Sequence, residues 1–127
     1  MAGESVQRER VTDLGAVRIY NDVLASIASI AASEIKGVHR LGQGSPKNFS
    51  EFLARRGRSK GVRVSPGENG VRIAVSIVVE YGVYIPRVAD EVQENIKRQV
   101  EKMTGLVLQE VNVDVEGVKG APPPRTP

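Results

Sequence analysis

Arg55, Arg56, Arg58 and Lys60, with Arg63 close behind, are the residues of this chain best placed to hold a ligand. Five cations so close together suit phosphate groups, anionic lipid headgroups or an acidic protein surface. No aromatic side chain is interleaved with them to stack nucleotide bases; Phe49 and Phe52 precede the cluster and read as anchors of a short helix. From Arg40 to Arg63 there are seven basic residues against one acid, Glu51, so this segment supplies all of the formal net charge of +3. The same cations also suit a merely solvated loop. Their functional reading is therefore a partner or anion contact, and nothing in them suggests catalysis.

The other reactive side chains point away from chemistry. Asp90 and Glu94 share a helix face with Glu91 between them, but Lys97 and Arg98 follow one turn on, and nothing nearby predicts the burial that tuned acid–base groups need. Glu110, Asn112, Asp114 and Glu116 fall on one side of a strand. Successive same-side positions there stand roughly 6.6 Å apart and do not converge on one ion. An exposed acidic ladder is the reading, and its functional version is electrostatic, as a seat for the Arg55–Lys60 segment of another copy. His39 is the single histidine and has no visible ligand or acid partner, while the absence of cysteine excludes disulfides and thiolate catalysis. Gly42-Gln43-Gly44 lacks the rest of a dinucleotide loop. Gly67-Glu68-Asn69-Gly70 has the spacing of an RNA-clamping loop, but it lies between two strand patterns and carries Glu68, which reads as a hairpin turn. No enzyme activity, cofactor or metal is expected.

The elements that carry these residues are legible from periodicity. Val71, Ile73, Val75, Ile77, Val79 and Tyr81 alternate with Arg72, Ala74, Ser76, Val78 and Glu80, which predicts a strand with its odd side chains toward the core. A helix is predicted from Pro86 to Thr104, with Val88, Val92, Ile96, Val100 and Met103 as its apolar ridge, Glu94–Arg98 as a favourable pair and Gly105 as its terminator. A second alternating run ends near Val115. Upstream, a helix is predicted from Asp22 to Lys36, capped by Asn21 or Asp22 and buried through Leu24, Ile27, Ala28, Ala31 and Ile35. Short strands are expected at Val17–Ile19, at Val38–Leu41 and from Val62, the last closing a hairpin through Ser65–Gly70. The predicted fold class is α+β: a two-layer sandwich with a mixed or antiparallel sheet and two main helices packed on one face. Residues 1–14 read as a flexible N-terminal arm, 15–118 as the domain and 119–127 as a disordered proline-rich tail. No apolar run approaches the roughly 18 residues a membrane-spanning helix needs, and the N-terminus has no signal-peptide pattern, so a cytoplasmic protein is expected.

Several strings in this order resemble the bacterial alkaline shock protein family. They are Ile27-Ala28, Ala31-Ala32, Ile35 to Val38, Lys60 to Val64, Tyr81 to Pro86, Val92-Gln93 to Lys97, Met103 to Leu106, and Val111 to Val115. The resemblance spans about residues 16 to 118. It implies a small cytoplasmic protein without known catalysis that self-associates, is linked to alkaline or cell-wall stress, and in some members reaches the membrane through a separate membrane-spanning partner. The basic segment and the proline tail depart from the family pattern. The expectation is a stress or envelope-homeostasis protein that acts as a homo-oligomer and by binding a partner, such as a membrane-anchored protein. The alternative is a nucleic-acid-binding module using residues 55–63.

Overall fold

The strand that the alternating valines predict lies at the centre of the sheet. In the computed structural model, which describes residues 6–42 and 61–120, β5 (Gly70–Glu80) pairs along one side with β3 (Val38–Leu41) and β4 (Val62–Gly67), and along the other with β6 (Leu108–Lys119). The β3 and β4 pairings are antiparallel and the β6 pairing is parallel, so the sheet is mixed. A parallel return needs a crossover, and the helix between β5 and β6 supplies it. Val71, Ile73, Val75, Ile77 and Val79 are each no more than 4% exposed. Each contributes roughly 1.5–3 kcal/mol by leaving water.

Helices α1 (Asn21–Ser33) and α2 (Ile85–Thr104) cover that face of the sheet. Val88, Val92, Ile96 and Val100 of α2 are fully buried against Leu24, Ala28, Ala31 and Ala32 of α1. The alanines let the two backbones come close. Pro86 sits in the first turn of α2, and Gly105 ends it in the left-handed conformation at φ 75°. The hairpin from β4 to β5 turns through Glu68-Asn69, as its turn-forming residues predict.

Several details differ from expectation. Met103 is 65% exposed because Thr104, four residues after Val100, takes the next place on the buried ridge, and Tyr81 is 61% exposed because β5 ends at Glu80. Asn21 is the first residue of α1 instead of its cap; Tyr20 holds that place, and Asn21 Oδ1 is buried without a hydrogen-bond partner. On α2 the pairs are Arg87–Glu91 at 3.1 Å and Lys97–Glu101 at 2.8 Å. Arg98 donates instead to Asn95 Oδ1 at 2.6 Å, so the Glu94–Arg98 pair does not form. β6 continues four residues past Val115, because β5 offers it a partner as far as Glu80. Within the segment expected to be a flexible arm, Val6–Thr12 forms β1, which pairs antiparallel with β2 (Gly15–Tyr20) in a hairpin apart from the main sheet. Two observations account for its position: Ile19 packs against the core, and Arg8 Nη1 donates to Gly105 O at 3.3 Å. Most of residues 119–127, the expected tail, lie outside the described residues, although Lys119 itself closes β6.

Candidate functional site

Both helices lie on one side of the sheet, so the even-numbered side chains of β5 define a second face. Register places the neighbours on that face. Arg63 of β4 and Asn112 of β6 flank Ala74, Asp114 flanks Ser76, Arg40 of β3 flanks Val78, and Ser65 and Glu110 flank Arg72. Arg40, Arg63, Glu110, Asn112, Asp114 and Glu116 are all exposed. The acidic ladder predicted for β6 therefore exists as one row on this face. The middle of the face carries small or sunken side chains: Ala74 and Ser76 are half-buried, and Val78 is only 7% exposed. Arginines thus lie along one margin and acids along the other.

Two glycines frame the basic margin. Gly42 N–H donates to Ser76 O at 2.7 Å, and Ser76 N–H donates to Gly61 O at 2.8 Å. The chain therefore leaves the described structure and re-enters it on the two backbone groups of one residue. A side chain at Gly42 would collide with the Glu116 carboxylate, with Ser76 Cβ 3.0 Å away. Glu116 thus reaches across the face from β6 toward β3.

Of the candidate contact residues, Arg63 is placed on the basic margin of this face. Arg55, Arg56, Arg58 and Lys60 lie outside the described residues. His39 is exposed and sits where the pairing of β3 shifts register. Among the described residues, no group of three or more His, Cys, Asp or Glu side chains is arranged to hold a metal ion. A cleft of about 270 Å³ opens between Gln93, Glu94 and Lys97 of α2 and the start of β6. Its polar groups brace the fold. Gln93 Nε2 donates to Val111 O at 2.9 Å, and Glu101 nearby accepts from Lys97 and from the Leu108 N–H. Those two hydrogen bonds, Lys97 first and the Leu108 amide second, hold the Glu101 carboxyl below the usual carboxylate range. The surface ion pair Arg72–Glu110, at 3.9 Å with both side chains near half exposure, contributes little.

One important residue escaped the sequence reading. Asn95 is 5% exposed and joins the helices: its Nδ2 donates to Ala31 O at 2.8 Å and to Glu34 Oε1 at 3.2 Å. Its position between Val92 and Ile96 placed it beside the apolar ridge, which was the available signal.

The fold and its open charged face can now be compared with known proteins. A family model for the alkaline shock protein 23 family, described as of cell envelope-related function, matches residues 9–120. This chain belongs to that family. Among its relatives, the uncharacterized protein YqhY of Bacillus subtilis is 39% identical over 108 residues, covering 85% of this chain and 80% of that one. YloU of the same organism is 33% identical over 112 residues, covering 85% and 92%. A Streptococcus pyogenes protein called a stress response regulator gls24 homolog is 29% identical over 102 residues, 79% of this chain and 57% of that protein. The family match begins within β1 and extends through β6, and so includes most of the hairpin and the sheet face. No helix among the described residues is long and apolar enough to cross a membrane.

Proposed function

We propose that this member of the alkaline shock protein 23 family serves stress response or envelope homeostasis without catalysis, by associating with itself and by binding a partner protein. The reading places it in the cytoplasm, with a membrane protein as the partner that recruits it. The observation that carries it is the open sheet face, on which exposed charges are spread over four strands around small side chains instead of converging on a pocket. Such a surface suits another protein surface better than a small substrate. The family's cell envelope-related description and the name of the streptococcal relative support the biological setting. In this reading Arg55, Arg56, Arg58, Lys60 and Arg63 modulate assembly or the partner contact.

Light scattering of the full chain over a concentration series tests the first half, with mass expected to rise with concentration. Crosslinking in native cells, with Arg55, Arg56, Arg58 and Lys60 replaced by Glu in a parallel strain, tests the second. A strict monomer at the highest concentration, together with a crosslinking pattern that ignores those replacements, would overturn the proposal.

A further inference from the structure

The charges on the open face are separated across the strands. Arg40 and Arg63 stand on the β3–β4 margin, and Glu110, Asp114 and Glu116 stand on β6, with Ala74, Ser76 and Val78 of β5 between them. That separation has a symmetry consequence. Two copies placed face to face about a two-fold axis must have that axis in the plane between them. An axis running across the strands lays each margin over its own kind, arginine on arginine and acid on acid. An axis running along the strands exchanges the margins and sets every basic edge over an acidic one. Like charges directly opposed are unfavourable and opposite charges fix register, so the charge pattern selects the second arrangement.

Resting on the reading that the chain self-associates, we propose that this face is a two-fold interface between two copies, with its axis along β5 and with Arg40 and Arg63 of each copy over Asp114 of the other, while Glu116 reaches across its own face toward Gly42. The heights along the strand agree. Arg63 lies level with Ala74, Asp114 with Ser76 and Arg40 with Val78, so each arginine stands one same-face step, roughly 6.6 Å, from the level of Asp114. An arginine side chain spans such a step. Packed sheets stand about 10 Å apart, and the small side chains of Ala74 and Ser76, with Val78 already sunken, leave room at the seam. Arg72 lies in the central row, so this axis brings the Arg72 side chains of the two copies to the same level at one end of the seam, where each has Glu110 of its own chain as counter-ion at 3.9 Å.

The size of the face sets the strength of the contact. Three strand positions at about 4.8 Å, along a β5 of 11 residues, outline roughly 500 Å² per copy, near the lower limit for a specific interface. The dimer should therefore be concentration-dependent, and because it rests on exposed charges it should weaken as salt is raised.

Sedimentation velocity of the full chain, from about 5 to about 500 µM, reads the outcome. Arg63→Glu puts an acid on the basic margin, over Asp114 of the other copy, and Asp114→Arg puts a base on the acidic margin, under the other copy's arginines. Each alone should weaken association at least about 100-fold, since each change is counted twice in a symmetric interface. Both residues are exposed, and circular dichroism of each variant checks that it folds. Two rescues are then expected: Arg63→Glu with Asp114→Arg in one chain, and an equimolar mixture of the two single variants, which should form a mixed dimer. Association unchanged by the single reversals, or reversals that neither rescue restores, would overturn this interface while leaving self-association intact. A wild-type chain that stays monomeric throughout would remove both.

Discussion

Replacing Asn95 by Leu removes a buried donor while keeping the number and branching of its heavy atoms, which makes it a probe of how the two helices are joined. At the end of α1 the Ile35 N–H turns to Ala32 O at 3.3 Å, so Ala31 O is left for Asn95 Nδ2 at 2.8 Å. The last carbonyls of any helix need outside partners, and α2 supplies this one. Without the amide, Ala31 O is buried unpaired at a cost of about 1–3 kcal/mol, and we take about 2 kcal/mol for the variant. With an m-value of about 1.5 kcal/mol/M, the urea midpoint should fall by roughly 1.3 M while m stays constant. Glu34→Ala is the matched control. It deletes the second acceptor, at 3.2 Å from Asn95, but orphans no buried group, so it should cost under about 0.5 kcal/mol. Denaturation followed by the helical circular dichroism signal decides between them. An Asn95→Leu midpoint within about 0.3 M of the parent, or no lower than that of Glu34→Ala, would refute the reasoning.

Gly37 and Gly82 form a second test, because both have positive φ, 106° and 98°, but only Gly37 faces a wall: a Cβ there would stand 2.8 Å from Val88 Cγ2, whereas Gly82 has open space. Gly82→Ala should cost about 1 kcal/mol from backbone strain alone, and Gly37→Ala about 2–3 kcal/mol, read as the difference between their thermal midpoints. Glu101 gives a pH test. Its folded pKa lies below the unfolded value, so its carboxylate contributes stability above the ordinary carboxylate range and loses that contribution as pH falls through the folded pKa. Wild type should therefore be more stable than Glu101→Gln at neutral pH, with the gap closing below about pH 4; melts between neutral and acid pH that keep a constant gap would contradict this.

Much of the architecture was legible in one dimension. The alternation of Val71, Ile73, Val75 and Ile77, the ridge of Val88, Val92, Ile96 and Val100, and the stop at Gly105 each depend on residues a few positions apart, and local geometry turns such spacing directly into a strand face, a helix face and a helix end. The acidic ladder of β6 was legible for the same reason. Only tertiary structure decided the rest. Arg40 and Arg63 share a margin because Gly42 and Gly61 both bond Ser76, a long-range contact that no periodicity encodes. Asn95 is buried because the carbonyl of Ala31, far away in the chain, waits opposite it. The parallel pairing of β5 with β6 fixes which side chains stand side by side on the open face. Spacing along a chain sets the direction in which a side chain points, but its neighbours depend on which distant segments the fold brings together.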